Sequence, residues 1–295
     1  MIVFAGPGVA GAIRNQFNLV GNTVENGTNG GTGDGASGGG VSTGADSATV
    51  QAAIAKDAKD WTLDEQKAVA EDIAAKGEAS PAYAKAKAAM DAGTKFSVKL
   101  TNGQALEYRI VGINHDDLAA GTGKAGLTFE ATGEGLGYQR MNATDTNVGG
   151  WEKSELRGRL NSGDLWSLLP AELQSKAKAV TKTTDNTGGD IKDFDLNKDR
   201  NGICTPSATT DKIFLLSATE LYGDLASDGQ QYEFYKSKGV TKSNYPGLTN
   251  VYQWLRTVYY DTLYPGEHFC NVYYGGYCSQ SPSTRSIDVK PAFCF

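Results

Sequence analysis

The stretch from Leu255 to Val289 is the part of the chain richest in groups that make directed contacts. It carries six tyrosines (Tyr259, Tyr260, Tyr264, Tyr273, Tyr274 and Tyr277) among serine, asparagine and glycine. Tyrosine offers a rigid ring and a hydroxyl at small rotamer cost, while Ser and Asn adapt their hydrogen bonds to a partner. The chemistry such a stretch provides is recognition rather than bond making. Tyr259, Tyr260, Asp261, Tyr264, His268, Asn271, Tyr273, Tyr274, Tyr277, Ser279, Ser281, Ser283 and Arg285 are the expected contact residues. A share of the tyrosines is expected inside, because tyrosine is intermediate in burial. Alternation through Phe269-Cys-Asn-Val-Tyr-Tyr274 puts Phe269, Asn271 and Tyr273 on one face and Cys270, Val272 and Tyr274 on the other. Half of that strand is therefore expected to be structural.

A second candidate is Asp193-Phe-Asp-Leu-Asn-Lys-Asp-Arg-Asn-Gly202, whose alternating oxygens on Asp193, Asp195, Asn197 and Asp199 resemble the first half of a calcium loop. The match is incomplete. A loop counted from Asp195 has Arg200 at the glycine position, and one counted from Asn197 has Ala208 where the bidentate Glu belongs. A solvated acidic loop is the alternative, so calcium is a candidate ion and no cofactor is required. Among the four cysteines, no pair has the spacing of a zinc site, and the chain has two histidines, His115 and His268. Cys270 and Cys278 stand either as a disulfide across a hairpin turning at Gly275-Gly276 or as small buried thiols. No Ser/His/Asp set or other nucleophile motif is present, which argues against catalysis.

These residues must be positioned by a scaffold, and the 295-residue chain is long enough to bury a sizeable core. The net charge of −6 argues against nucleic acid as a partner, because such affinity rests on neutralising phosphates. No apolar stretch approaches the ~20 residues needed to span a membrane, and the N-terminus lacks the basic region of a secretory signal. Residues 1–20 place Ile13, Phe17 and Val20 at helical spacing and read as a docking segment. Residues 21–45 are rich in Gly, Asn, Thr and Ser and read as a flexible linker. Residues 46–93 read as three short helices, with a capping box at Thr62/Glu65, stops at Gly77 and Gly93, and a start at Ser80-Pro81.

From residue 94 the period changes to that of strands. Phe96–Leu100 and Ala105–Val111 flank an Asn102-Gly103 turn, and Gly126–Glu130 forms a third strand. Residues 150–160 and 170–181 read as helices burying Trp151, Leu156, Leu160, Leu173 and Val180. Residues 212–216 read as a strand, followed by a short helix or turn at 217–222 and several short strands from Gln253 to Phe295. Trp151, Trp166 and Trp254 are expected core anchors, and Phe293 and Phe295 are expected to close the core. The class is α+β.

The motifs Leu100-Thr-Asn-Gly, Gly149-Gly-Trp-Glu-Lys-Ser-Glu-Leu-Arg157, Thr210-Asp-Lys-Ile-Phe-Leu-Leu-Ser217, Glu220-Leu-Tyr-Gly223, Gln231-Tyr-Glu-Phe-Tyr235, Trp254-Leu-Arg256 and Val289-Lys-Pro-Ala-Phe-Cys-Phe295 follow one another in this order. Together they resemble a bacterial and phage domain family of undefined function, related in fold to C-type lectins and formylglycine-generating enzymes. The resemblance implies a C-type-lectin-like domain over residues 94–295. It also implies a tail or cell-surface protein, and in some relatives a trimer and diversification by a retroelement that randomises adenines. AAC-type codons so varied never give Trp, Met, Gln, Glu or Lys; between Leu255 and Val289 those types occur only as Glu267 and Gln280. The expected role is phage tail receptor binding, with a host-cell surface protein or glycan as ligand and a virion tail component held by the N-terminal segment. A bacterial surface adhesin is the alternative, and an oxidase using Cys270 and Cys278 a more distant one. The last strand lies at the very end of the chain, which favours the phage reading over an adhesin with a C-terminal anchor.

Overall fold

Three helices open the described part of the chain, the first two with side-chain N-caps and the last two ending at glycine. A computed structural model describes residues 47–189, 206–223, 228–260, 263 and 265–295. The expected N-terminal segment, the Gly-rich linker and the 193–202 loop lie outside the described residues. In α1 (Ala48–Ala55) the Ser47 hydroxyl accepts from the Val50 N–H. In α2 (Leu63–Lys76) the Thr62 hydroxyl accepts from the Glu65 N–H, and the Glu65 carboxylate accepts in return from the Thr62 N–H at 2.7 Å. Gly77 ends α2, and Gly93, in the left-handed region, ends α3 (Tyr83–Ala92). Ser80 lies ahead of α3, donates its hydroxyl to Asp72 at 2.5 Å and accepts from the Ala82 N–H, and the helix starts at Tyr83, two residues after Pro81.

The strands and short helices that follow are β1 (Lys95–Lys99), β2 (Ala105–Ile113), β3 (Leu127–Ala131), β4 (Tyr138–Gln139), α4 (Gly150–Lys153), α5 (Glu155–Ser162), α6 (Asp164–Leu168) and α7 (Ala171–Lys176). After them come β5 (Val180–Asp185), β6 (Pro206–Asp211), β7 (Ile213–Phe214), α8 (Ala218–Tyr222), α9 (Glu233–Ser237), β8 (Gln253–Tyr259), β9 (His268–Val272), β10 (Cys278–Pro282), β11 (Ile287–Asp288) and β12 (Ala292–Cys294). The class is α+β. The expected helix over 170–181 is shorter than its pattern: it stops at Lys176, and Val180 opens a strand. The run Val180-Thr-Lys-Thr-Thr is rich in β-branched residues, and its inward positions Val180, Lys182 and Thr184 alternate as a strand requires.

Two five-stranded sheets carry most of the core. One runs β1-β2-β3-β12-β7, and the other β10-β9-β8-β11-β4, with β5 and β6 forming a separate ribbon. The last strand therefore sits inside the first sheet, between β3 and β7, which places Phe293 and Phe295 against Phe129 at 5.3 Å between ring centres. The helices share this core. Trp61 stacks on Phe96, the Tyr108 hydroxyl donates to Gln66, and α2 passes so close to the chain before β3 that a Cβ on Gly126 would lie 1.8 Å from the Ala70 carbonyl oxygen. All described residues belong to one compact unit. Trp151 and Trp254 are fully buried, whereas Trp166 is partly buried at the edge of the core.

A chain of buried charges joins the elements that the apolar core leaves apart. Arg256 on β8 is fully enclosed and clamps both carboxylate oxygens of Glu220 on α8. Its remaining N–H groups donate to Thr184 Oγ1 at 2.7 Å and to the carbonyls of Leu215, Asp228 and Thr183. Lys182 on β5 bridges Glu220 to Asp116 and also meets the Tyr232 hydroxyl. Asp116 accepts further bonds from Thr128 and Tyr232. Burial alone would raise the carboxyl pKa values, yet Arg256 and Lys182 hold Glu220 below the usual carboxylate range, and Lys182 with His115 does the same for Asp116.

Removing one member leaves an unmatched charge in a dry interior, which is where such pairs become costly. Arg256→Met is expected to destabilise the fold by about 3–5 kcal/mol, read from the midpoint of urea unfolding followed by circular dichroism. A midpoint shift of under ~1 kcal/mol would show that the clamp contributes little.

Candidate functional site

The β9–β10 hairpin brings tyrosines to the surface because its turn, not its strands, is exposed. Both faces of β9 are buried, so all of His268–Val272 is structural and not half of it as the alternation implies. The strand is paired on its two edges with β8 and β10. Tyr273 and Tyr274 follow immediately, past the last paired residue, and project from the turn. The Tyr273 N–H donates to the Tyr277 carbonyl, and the Gly276 N–H donates back to the Tyr273 carbonyl. Gly276 has φ +89°, and its carbonyl accepts from the buried Tyr222 hydroxyl at 2.8 Å.

Around this turn stand Tyr273, Tyr274 and Tyr277, joined by Tyr138 from β4, Tyr245 from the preceding loop and Tyr252 just before β8. Tyr252 lies 4.7 Å from Tyr274 and 5.8 Å from Tyr273 between ring centres, and Tyr273 lies 5.4 Å from Tyr277. Tyr138 hydrogen-bonds to Tyr274, the largest cause raising its phenol pKa. Tyr138, Tyr273, Tyr274 and Tyr277 are 40–54% exposed, so rings that pack against one another still present an edge or hydroxyl to solvent. Mutual packing limits their rotamers before any ligand arrives, which lowers the ordering cost of binding.

The other expected contact residues do not join this cluster. Tyr260, His268, Asn271, Ser281 and Ser283 are buried. Tyr260 donates its hydroxyl to Asp185, Asn271 donates to Ser281 Oγ at 3.0 Å, and Ser283 donates to the Thr144 carbonyl while accepting from the Thr146 N–H. Ser283 thus holds the end of the hairpin to the chain at 144–146, Asn271 ties the two hairpin strands together, and Tyr260 ties the end of β8 to β5. Tyr259 and Ser279 are partly buried, Arg285 is exposed, and Asp261 and Tyr264 lie outside the described residues. Cys270 pairs with Gln280 and Cys278 with Val272, two positions out of step, and each is a thiol. No cluster of three metal-ligating side chains occurs among the described residues, and the expected calcium residues Asp193, Asp195, Asn197 and Asp199 lie outside them. No described helix is long and apolar enough to cross a membrane.

Two further features escape sequence reasoning. Asp288 on β11 sits opposite Tyr138, is buried, and leaves Oδ1 without a hydrogen-bond partner. Desolvation pushes its carboxyl up to about 7, against the opposing pull of Lys290. The second is a polar cleft of about 320 Å³ whose lining includes His115, Asp116, Asp117, Lys124, Lys182 and Glu220. Its charges satisfy one another: Lys124 pairs with Asp117, His115 with Glu233, and Lys182 with both Asp116 and Glu220. Tyr138 and Asp288 are more than a hundred residues apart, so only strand pairing reveals them as neighbours.

A family model described as a domain of unknown function (DUF6273) matches residues 125–295. The chain belongs to this family. No curated protein and no solved structure matches it. The DUF6273 match contains the hairpin, Tyr138, Asp288 and the Arg256–Glu220 clamp, and it starts just before β3. The helices α1–α3 and strands β1 and β2 precede the DUF6273 match, yet they pack into the same core.

Two outcomes test this geometry. A Cβ at Gly276 would lie 2.8 Å from the Tyr245 ring and 3.3 Å from Leu248, on a backbone that L residues rarely adopt. Gly276→Ala is expected to cost about 1–3 kcal/mol and to broaden the amide resonances of residues 273–277. An unchanged melting temperature and spectrum would contradict the tight seating. For Asp288 the folded pKa lies above the ordinary value of 3.8, so its stabilising effect is complete below about pH 4 and is lost as pH rises through about 7. Asp288→Asn should match the parent near pH 4 and exceed it by about 2–4 kcal/mol at pH 8. A difference in unfolding free energy that does not vary with pH would refute the raised pKa.

Proposed function

We propose that this protein is a recognition protein whose tyrosine hairpin binds a partner on a cell surface, and that it does not carry out catalysis. The observation that carries the reading is the set Tyr138, Tyr273, Tyr274 and Tyr277, exposed together around one turn that is braced from beneath. Solvent-facing aromatic side chains gathered in one patch are unusual on a surface with no partner, and tyrosine is the residue that best combines apolar area with hydrogen bonding there.

In its finer form the proposal is a C-type-lectin-like receptor-binding protein of a phage tail, docked through its N-terminal segment and assembled as a trimer. Its ligand is a host surface protein or glycan. The scarcity of Trp, Met, Gln, Glu and Lys between Leu255 and Val289 supports diversification of the tail by a retroelement. The burial of Tyr260, Asn271 and Ser283 concentrates any tolerable variation at the turn.

The test is direct binding. Fluorescently labelled protein is titrated onto a panel of intact bacterial strains, alongside the triple variant Tyr273→Ser/Tyr274→Ser/Tyr277→Ser. The variant should bind its strain about tenfold or more weakly, with a melting temperature close to that of the parent because the three side chains are exposed. Undiminished binding by a folded triple variant would place the contact surface elsewhere.

A further inference from the structure

The loop that carries Tyr245 has two sides. The hairpin tip rests on one, where Gly276 meets Tyr245 and Leu248. The other side closes a cavity of about 210 Å³ whose walls include Arg109, Phe234, Tyr235, Lys238, Pro246 and Leu248. Its lining is mostly apolar in character, with two aromatic rings, a proline and a leucine. Its charged groups are both cations. The Arg109 guanidinium lies 4.2 Å from the centre of the Phe234 ring, and the Lys238 ammonium lies 5.6 Å from the same ring.

Burial opposes the Arg109 charge, and Tyr235 and Glu130 more than offset it, so the guanidinium pKa is raised, but the ion pair rests on a single contact. Arg109 reaches Glu130 at 3.4 Å through Nη2 alone, and that nitrogen also donates to the Tyr235 hydroxyl. Its Nε is buried and has no acceptor. Glu130 is shared further, since the Tyr235 hydroxyl and Gln253 Nε2 both donate to it. Lys238 donates to the Asp91 carbonyl, a neutral acceptor. Burial lowers the pKa of the neighbouring Lys290, Glu130 and Asp288 pull it back up, and Arg109 adds a smaller push down. No carboxylate lines the cavity. An anion would therefore meet two cations and no carboxylate on the walls, and an apolar body would be matched by the rings, proline and leucine that line them.

We propose that this cavity is an anchoring site for a carboxylate carried on a phenyl-sized apolar group. The volume supports that size, because an apolar cavity of about 150 Å³ is enough to hold benzene. The inference builds on the tyrosine-hairpin reading: the shared loop would let one ligand lie on the tyrosines and insert its acidic end into the cavity. The chemistry belongs equally to an aromatic residue at a polypeptide C-terminus and to a small aromatic acid.

The experiment uses the ¹⁵N-labelled full chain titrated with phenylacetate and, separately, with phenylacetamide, which keeps the ring and removes the charge. Phenylacetate should shift the amides of Gly239, Gly247 and Leu248, and phenylacetamide should bind about tenfold more weakly. Lys238→Gln, at a solvent-facing position, should weaken phenylacetate by about threefold or more without altering the fold. Acetyl-Gly-Phe with a free carboxylate distinguishes the sources: tighter binding than phenylacetate assigns a polypeptide C-terminus, and weaker binding assigns a small acid. Equal binding of acid and amide, or shifts that avoid these amides, overturns the proposal.

The two readings fail separately. If the triple serine variant still binds phenylacetate while losing the cells, the cavity functions independently of the tyrosine contacts. If the parent binds cells but shows no preference for the carboxylate, the cavity proposal falls and the hairpin reading stands.

Discussion

The clamp between Arg256 and Glu220 is the constraint on which the arrangement of this protein turns. Both groups are enclosed, and a buried guanidinium is tolerable only where every N–H finds an acceptor. Arg256 meets that demand with acceptors on β5, α8 and the chain before and after α8, and it thereby fixes β8 relative to all of them. Because β8 pairs with β9, and β9 with β10, the position of the tyrosine turn follows from the position of the clamp. Lys182 extends the same network to Asp116 and Thr128, and so connects the second sheet to the first. The interior thus has two kinds of cement. Phe129, Phe293 and Phe295 pack without directional demands, whereas the ion chain admits a single registration of the elements it joins.

Much of the fold was legible in the sequence, where local signals and tertiary demand agreed. The capping box at Thr62 and Glu65, the glycine stops at 77 and 93, and the Asn102-Gly103 turn all act over a few residues, and they appear where their chemistry puts them. Val180 shows the limit of such reading. Its spacing continues the apolar face of α7, but the β-branched residues after it favour pairing with β6, and pairing wins. The order of strands in the sheets was not legible. Nothing near Ala292 announces that β12 inserts between β3 and β7, because that choice depends on partners far along the chain.

The candidate site was legible in type and only partly in position. Tyr273, Tyr274 and Tyr277 stand out in the sequence and are exposed in the structure, while Tyr260 and Asn271 look similar by composition and are buried. What separates them is the distance from the turn. A strand paired on both edges, with neighbours above and below, has no free face, and its polar residues must find partners inside. Arg109, Lys238 and Asp288 give no local signal at all: the buried Nε of Arg109 and Oδ1 of Asp288 that find no partner, and the cavity that Arg109 and Lys238 line, are properties of the assembled surroundings.

The division between braced strand and exposed turn sets a physical limit on how the surface can change. Asn271 and Ser283 each make buried hydrogen bonds, so replacing either strands a partner in the interior. Tyr273, Tyr274 and Tyr277 carry no comparable obligation: their backbone groups close the turn, and their partly exposed side chains pack on one another and on the rings of Tyr252 and Tyr245. Gly276 stands between these regimes, since it belongs to the turn but is seated on Tyr245 and Leu248. A binding surface built in this way separates the residues that shape the loop from those that meet the ligand. Affinity can then change at the three tyrosines while the clamp at Arg256, two strands away, continues to hold the loop in place.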